Sequence, residues 1–265
     1  MLNYLKAPNS AQSVVRKHKL KIAISQFPVS DEIEVNLKYI TRHIFNASNN
    51  GADLIHFPET ALSGYNMKTI TENWSSLSNG IDKVRGLARK YKIYVIFGTY
   101  EKASANIKPY DSTYVISNTG EILGKYRKTK LYGAEKDIFS AEENYFVCDI
   151  KGVKCGFLIC YDSCFPELFD YYRKKSVKLL LLSYYNAKSS KPRNAMDELM
   201  RAQFITRATD NVMYISGSNS SAKYSRMPAS YVQPDGKIVQ AKRHMSGILY
   251  VKYPAVLGWT YDNSI

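Results

Sequence analysis

A cysteine that ends an apolar run just before a helix signal is the first residue suited to chemistry. The segment GFLICYDSCFPE covers residues 156–167, and its apolar half ends at Cys160. Pro166 favours the first turn of a helix, so the pattern predicts a strand-to-helix turn around this cysteine. A thiol at such a turn lies at the sheet edge, where backbone N–H groups lower its pKa and bind an oxyanion. Because free cysteines are among the most buried residue types, a purely structural Cys160 stays open at this stage.

A cysteine nucleophile needs a base, and no histidine stands in a distinctive setting. The chain has four histidines: His18, His43, His56 and His244. The first three lie in the amino-terminal tail, a predicted helix and a predicted strand; His244 lies in a predicted loop and stays a candidate. Glu59 is the alternative base, because Pro58 removes a ladder donor and ends the strand before it. Glu59 is then expected at a strand end, where active sites of open sheets collect, although an ordinary exposed glutamate fits the same pattern.

A run of positive charge follows another predicted strand. The segment GKYRKTKLYG, residues 124–133, contains Arg127, Lys128 and Lys130. A cation near a thiolate would stabilise it and any developing oxyanion. Taken alone, the run is equally typical of a solvated basic surface.

The elements that must position these residues alternate between short apolar runs and longer amphipathic ones. Strands are predicted at KIAISQF, DLIHFPE, YVIFGTY, KLLLLSY, VMYISGSN and GILYVKY, and helices over residues 31–50, 81–92, 166–175 and 194–210. Ser30 is the candidate N-cap of the first helix. Hairpins are predicted around residues 118–120, 151–152 and 234–236, and a loop over 131–144. This pattern favours an α/β fold of mixed sheets covered by helices, with two strand-rich halves packed face to face.

Composition narrows the class of protein. The chain has 265 residues, 37 basic against 23 acidic, and a formal net charge of +14. The basic excess allows a nucleic-acid partner, but no nucleic-acid-binding motif is present, so we expect none. No apolar stretch is long enough to span a membrane. The four cysteines lack paired CxxC spacing, which favours reduced thiols in the cytoplasm over disulfides or a zinc site.

Three segments in this order resemble the signature regions of the nitrilase, or carbon–nitrogen hydrolase, superfamily. They are FPETALSGYN, KYRKTKLYGAEKDIF and GFLICYDSCFPE. Two further segments, RAQFITRATDN and SYVQPDGKIV, resemble later family regions. The resemblance covers about residues 21–253, which we expect to form one domain between an extension (1–20) and a tail (254–265). It implies a four-layer α-β-β-α sandwich that assembles as a homodimer or larger homo-oligomer.

The resemblance also implies roles for particular residues. Cys160 would be the nucleophile, Glu59 the general base and later acid, and Lys128 the cation that stabilises the tetrahedral intermediate. Glu135 would help to position substrate and lysine, and the backbone N–H of Tyr161 would complete the oxyanion hole. Neither a metal nor a cofactor is implied. Candidate pocket residues are Tyr65, Tyr132, Tyr185 and Asn186, with further walls expected from residues 188–194 and 218–229.

The departures from the family pattern bear on the substrate. Lys130 stands where the family usually has histidine, Cys164 where arginine is common, and Asp210 where glutamate is usual. Tyr161-Asp162 after the cysteine resembles the amidase and carbamoylase-like branches more than the nitrile hydrolysers. We therefore expect hydrolysis of a small linear amide to ammonia and a carboxylate through a thioester. N-carbamoyl hydrolysis, nitrile hydrolysis and a non-catalytic basic binding protein remain as alternatives.

Overall fold

The structure is a computed structural model that describes residues 19–66, 74–187 and 195–259. These residues form twelve strands and five α-helices. The strands are β1 (Leu20–Phe27), β2 (Leu54–His56), β3 (Tyr94–Glu101), β4 (Tyr110–Ile116), β5 (Ile122–Arg127), β6 (Val147–Ile150), β7 (Val153–Ile159), β8 (Leu179–Ser183), β9 (Tyr214–Ser220), β10 (Ser230–Val232), β11 (Ile238–Gln240) and β12 (Gly247–Tyr253). The helices are α1 (Ile33–Asn49), α2 (Trp74–Tyr91), α3 (Glu135–Ile138), α4 (Pro166–Lys174) and α5 (Met196–Asp210).

The strands form two six-stranded halves. One half has the order β5-β4-β3-β2-β1 with β12 beside β1, and the other has β6-β7-β8-β9 followed by β10 and β11. A short parallel pairing of β1 with β9 joins them at Gln26 and Phe27. Strands β1, β2 and β3 are parallel, as are β7, β8 and β9. Each parallel pair needs a crossover, and α1, α2, α4 and α5 lie in those connections.

Alternation along the strands divides the core into two clusters. Ile22 and Ile24 of β1 pack with β7 and β8, whereas Ala23 packs with α1 and α2. One face of the first half therefore meets the second half, and its other face meets helices. On the far side of the second half, the Phe204 ring of α5 packs over Gly217 of β9. The layers are helix, sheet, sheet and helix, so the predicted α-β-β-α sandwich is confirmed.

His56 marks the contact between the two sheets. Its Nδ1 lies 2.9 Å from Ser216 Oγ and its Nε2 lies 3.0 Å from Ser183 Oγ, both on the opposite sheet. Burial lowers the pKa of His56 to about 3, so this histidine is neutral in the folded protein. It serves as a polar link inside the core, at the last residue of β2 and not in mid-strand as predicted.

Two predicted helix ends and one predicted loop were wrong. Helix α1 has Glu32 at its N-cap position and no side-chain cap; Ser30 lies two residues earlier, and its Oγ accepts the Glu32 N–H (3.1 Å) before the helix begins. Helix α2 is already formed at Trp74, the first described residue after 66 and seven residues before the predicted start at Ile81, because polar residues conceal its early turns. The predicted loop over 131–144 contains the short helix α3.

The three predicted hairpins are present, whereas some other predicted segments fall outside the described residues. Strands β4 and β5, β6 and β7, and β10 and β11 pair antiparallel. The amino-terminal extension falls mostly, and residues 188–194 wholly, outside the described residues. The domain bounds therefore stay predictions. Among the described helices, none combines the length and apolarity needed to cross a bilayer.

Candidate active site

Cys160 is the first residue of a strained turn at the end of β7. Its φ is +44°, a left-handed conformation that few non-glycine residues adopt and that clusters at functional sites. A 3₁₀ turn over Cys160–Cys164 follows, and Pro166 then begins α4 as predicted. The sequence therefore placed the strand-to-helix change correctly, while the backbone strain is visible only in the structure.

Asp162 holds this turn in shape. Its Oδ2 accepts hydrogen bonds from the Ile159 N–H (2.9 Å) and the Tyr126 O–H (2.8 Å), and its Oδ1 accepts the Lys130 N–H (2.8 Å). Burial raises the pKa of Asp162 to about 6, although these donors act to lower it. One buried carboxyl thus fixes the cysteine turn to the segment that carries Lys128. Sequence reasoning used Asp162 only as a branch marker and missed this role.

Glu59 lies just after β2 in a backbone held from two sides. Its N–H donates to the Tyr184 carbonyl oxygen (3.2 Å), and the Tyr185 N–H donates to Glu59 Oε2 (2.6 Å). On the other side, a Cβ added at Gly98 would lie 2.4 Å from the Thr60 nitrogen. Only glycine permits this approach, which keeps the Glu59 carboxyl aimed into the core. Glu59 is fully buried, so the alternative of an exposed loop glutamate was wrong.

Lys128 is a fully buried lysine among three carboxyls. Its backbone N–H donates to the Asp111 carbonyl oxygen at 2.9 Å, continuing the β4–β5 ladder beyond Arg127. Its Nζ lies 2.6 Å from Glu59 Oε1, 2.8 Å from Glu135 Oε1 and 3.5 Å from Asp111 Oδ2. We call these four side chains the acid cage. The alternative of a solvated basic run was therefore wrong for Lys128.

Glu135, from α3, holds the lysine on its far side. Besides Lys128, it accepts hydrogen bonds from the Tyr65 O–H and, at 2.7 Å, from the Tyr132 N–H. Glu135 thus lies against Lys128, where the sequence resemblance placed it.

The thiol of Cys160 lies within electrostatic reach of the cage. Burial raises its pKa well above the usual range, and the Glu59 and Glu135 carboxylates raise it further. The Lys128 ammonium and a hydrogen bond from the Tyr185 backbone act in the opposite direction. Since the same Tyr185 N–H contacts Glu59, it connects the carboxyl to the thiol. Sulfur, carboxyl and ammonium therefore lie within electrostatic reach of one another.

The cage contains three carboxyls and one ammonium, and this imbalance affects which groups carry protons. Burial raises the pKa of Glu59, and Lys128 only partly offsets this. Burial and the neighbouring Glu59 raise the pKa of Asp111 well above its usual range. Burial acts to lower the pKa of Lys128, but the surrounding anions outweigh it and raise that pKa. The lysine is therefore charged, while the carboxyls of Glu59 and Asp111 hold protons more tightly than they would in water.

The three carboxyls have spacing that a cation can bridge. One oxygen each from Glu59, Asp111 and Glu135 lies within 4.8 Å of the others. Lys128 Nζ lies within 3.5 Å of an oxygen of each, so the ammonium itself provides the positive charge at this position. Asp111 was missed by sequence reasoning, because only the strand register shows that it faces the lysine.

The candidate pocket tyrosines flank the cage. The rings of Tyr65 and Tyr185 stack with centroids 4.8 Å apart, and those of Tyr132 and Tyr161 meet edge to face at 5.2 Å. Tyr132 is 54% exposed, so this side of the site faces solvent. These rings offer flat apolar walls beside the buried charges.

Asn186 is held by several hydrogen bonds to the protein. Its side chain contacts Asn219 (2.7 Å), the Arg226 N–H (3.3 Å) and the Met200 sulfur (3.3 Å). It thereby ties the 219–227 loop to α5. His244, the other candidate base, lies in an exposed loop with Nδ1 3.1 Å from the Ala222 carbonyl oxygen.

Comparison with known proteins decides the family. The sequence profile of carbon-nitrogen hydrolases matches residues 21–257. The chain belongs to the carbon–nitrogen hydrolase family. This confirms the resemblance drawn from the three segments around Glu59, Lys128 and Cys160.

The carbon–nitrogen hydrolase resembles several known relatives. It is 30% identical to "Nitrilase homolog 2" of Dictyostelium discoideum over 82% of this chain and 66% of that protein, so it spans slightly less than two thirds of that relative. It is 29% identical to an omega-amidase of Xenopus tropicalis over 81% of this chain and 78% of that one. An amidase structure from Nesterenkonia sp. has a TM-score of 0.79 at 23% identity, covering 92% of this chain and 94% of that one. The structural likeness supports the fold.

Proposed function

We propose that this protein hydrolyses a small linear amide, with Cys160 as nucleophile, releasing ammonia and a carboxylate. The observation that carries the proposal is the half-buried Cys160 within electrostatic reach of the fully buried Glu59 carboxyl and Lys128 ammonium, which are 2.6 Å apart. Amide hydrolysis needs a nucleophile, a proton carrier and a stabiliser of negative charge. These three groups supply each of them without histidine.

The first half of the proposed reaction forms a thioester. Glu59 takes the thiol proton of Cys160, and the sulfur attacks the amide carbonyl carbon. Lys128 and the Tyr161 N–H stabilise the oxygen anion that develops. Protonated Glu59 then gives its proton to the leaving nitrogen, the C–N bond breaks, and ammonia departs. The raised pKa of Glu59 suits this work, since a proton carrier functions best with a pKa near the working pH.

The second half returns the enzyme to its starting state. Glu59 takes a proton from a water molecule, whose oxygen attacks the thioester carbon. The C–S bond breaks, the proton on Glu59 returns to the sulfur of Cys160, and the product leaves as a carboxylic acid that ionises to the carboxylate in water. Glu135 keeps Lys128 aimed at the reacting oxygen in both halves through its 2.8 Å ion pair.

Known relatives support the amide as substrate class. Relatives of this chain are named omega-amidases. In a mutant of the Nesterenkonia amidase, the acetamide moiety of fluoroacetamide is covalently attached to the active site cysteine. The walls formed by Tyr65, Tyr185, Tyr132 and Tyr161 suit a short, flat substrate.

The deciding experiment replaces one of two nearby cysteines. Cys160→Ala should reduce ammonia release from the best substrate in a panel of small amides, ureido compounds and nitriles by at least about 10³-fold, because nucleophile removal has effects of this size or larger. Cys164→Ala is the matched control, since Cys164 is exposed and four residues away. Intact-mass measurement after fluoroacetamide treatment should show an adduct in the control but not in Cys160→Ala. Full activity of a folded Cys160→Ala enzyme would refute the proposal.

We further propose that the enzyme is a cytoplasmic homodimer or larger homo-oligomer that binds no nucleic acid. Cys148, Cys155, Cys160 and Cys164 are all free thiols, which suits a reducing compartment. The oligomer rests on the family resemblance. Light scattering coupled to size exclusion measures the oligomer, and cell fractionation measures the compartment. A monomer at micromolar concentration, or a secreted protein, would contradict these two points.

A further inference from the structure

Asp111 lies between Tyr100 and Lys128 in a row of three residues that runs across neighbouring strands of the sheet. The β3–β4 register pairs Asp111 with Tyr100, and the next step across the sheet reaches Lys128, whose N–H donates to the Asp111 carbonyl oxygen (2.9 Å). Residues in such a row project to the same side of a sheet. The Asp111 carboxyl therefore lies beside Lys128, fully buried within the acid cage.

Asp111 differs from the other two acids in its hydrogen bonds. Glu59 accepts a proton donor on each oxygen, and Glu135 accepts three donors in all. Among the described residues, neither oxygen of Asp111 has a hydrogen-bond donor, and its nearest cation, Lys128 Nζ, is 3.5 Å away. A buried ionised carboxylate without donors is costly, whereas a neutral carboxyl is far cheaper to bury.

The charge of the cage points to the same residue. Three ionised carboxylates around one ammonium would leave two uncompensated negative charges in a space closed to water. Interiors avoid this by keeping protons on some of the acids. Glu59 has a donor on each oxygen and Asp111 has none, and the side-chain contact between these two carboxyls acts to lower the pKa of Glu59 and to raise that of Asp111, so the proton falls on Asp111.

We propose that Asp111 is a positioning residue that works as a neutral, protonated carboxyl, and that its ionisation sets the alkaline limit of activity. Neutral Asp111 allows Glu59 to be ionised and to take the thiol proton. If Asp111 loses its proton, a further negative charge opposes both the thiolate and the oxyanion, and turnover falls. The link to turnover rests on the proposed function; the protonation itself does not.

Four ionisable groups face Asp111 from the surrounding elements. They are Glu59 after β2, Tyr100 on β3, Lys128 after β5 and Glu135 on α3. Burial and Glu59 raise the pKa of Asp111, and Lys128 only partly opposes them. Tyr100 stays neutral, because burial and Asp111 raise its pKa well above the usual value.

A first experiment measures stability and needs no substrate. When folding raises the pKa of an acid, that acid contributes its full stabilisation of the folded protein below the pKa it has in the unfolded chain, about 4. This contribution is lost as pH rises through the pKa it has in the folded protein. Asp111→Asn keeps the shape and a donor but cannot ionise. The folding equilibrium constant of Asp111→Asn, divided by that of wild type, should therefore rise about tenfold per pH unit between about pH 4 and the pKa of Asp111. Asp82→Asn on the exposed side of α2 is the control and should show no such trend.

The direction of that trend decides the question. If the stability of wild type relative to Asp111→Asn instead increases as pH rises, then Asp111 is ionised and pairs with Lys128. The inference is then wrong. A second measurement protects against misfolding of the variant: ¹³C NMR of labelled aspartate in the wild-type protein should show one carboxyl that stays protonated at neutral pH and is missing from Asp111→Asn. Absence of that signal also refutes the inference.

A second experiment connects the proton to turnover. Asp111→Asn should keep the acid limb of the kcat/KM profile and move its alkaline limb upward by at least about one pH unit, since the introduced amide stays neutral at every pH. A loss of activity at every pH with unchanged limbs would overturn the alkaline-limit proposal. Failure of Cys160→Ala to abolish turnover would instead overturn the proposed function, so the two failures are distinguishable.

Discussion

Two consecutive residues, Arg127 and Lys128, organise two neighbouring clusters with opposite character. Arg127 points to one side of β5 and binds Glu101 through two hydrogen bonds, NH2 to Oε1 (2.8 Å) and Nε to Oε2 (3.0 Å), as well as Glu142. Lys125 adds a third cationic contact to Glu101 at 2.8 Å. Lys128 points to the other side and enters the acid cage.

The two clusters shift acid pKa values in opposite directions. Burial acts to raise the pKa of Glu101, but hydrogen bonds from Arg127 and Lys125 outweigh it and hold that pKa below its usual range. In the cage, burial prevails, and the pKa values of Glu59 and Asp111 are raised. The first cluster has two cations for two acids and contacts solvent; the second has one cation for three acids and does not.

The difference separates a structural ion network from a reactive one. Balanced charge near solvent keeps Glu101 ionised and strengthens the sheet edge. Unbalanced charge in a closed space makes protons mobile among the carboxyls, as proton transfer requires. The one-residue alternation of a strand is enough to send adjacent cations to the two environments.

The largest expected effect comes from removing the cage cation. Lys128→Met should lower the free energy of unfolding by about 3–5 kcal/mol, because it leaves buried acids without their partner. It should also reduce turnover at least about 10²-fold through loss of oxyanion stabilisation. Chemical denaturation and steady-state kinetics measure the two effects. Arg127→Met is the matched control and should lose only about 1 kcal/mol and little activity. Equal losses in both variants would erase the distinction between the clusters.

The next effect concerns proton transfer alone. Glu59→Gln should reduce turnover by about 10²–10⁴-fold, since the amide cannot carry the proton between sulfur and nitrogen. Glu142→Gln removes an acid from the other cluster and should leave turnover nearly unchanged. Kinetics on variants with wild-type circular dichroism provide the measurement. Comparable activity of Glu59→Gln and Glu142→Gln would show that Glu59 is not the base.

The smallest effect is a pH-dependent change in stability at Glu101. An acid whose pKa is lowered by folding stabilises above its unfolded pKa, and this stability is lost as pH falls through the folded pKa. The free energy of unfolding of wild type should therefore exceed that of Glu101→Gln by about 1–3 kcal/mol at neutral pH. This difference should disappear below about pH 4. Urea unfolding at several pH values measures it. A gap that widens in acid would contradict the lowered pKa.

Much of the site could be predicted because its residues lie at element ends that sequence signals mark well. Pro58 and Pro166 indicate where a strand stops and a helix starts, and they bracket Glu59 and Cys160 along the chain. The family resemblance added Lys128 and Glu135, and the structure brings these residues together. The early turns of α2 were missed because they are polar, and Ser30 was a wrong cap because α1 begins at Ile33 with Glu32 at the N-cap position.

The sequence by itself determined the order of the strands and of the four longer helices, the family and the types of side chain available for chemistry. Tertiary structure alone decided that Asp111 faces Lys128, that Asp162 holds the cysteine turn and that Arg127 and Lys128 enter different surroundings. The reason is physical: strand register, burial and net charge around a carboxyl depend on residues far apart in the chain. Those quantities set each pKa, and no local pattern carries them.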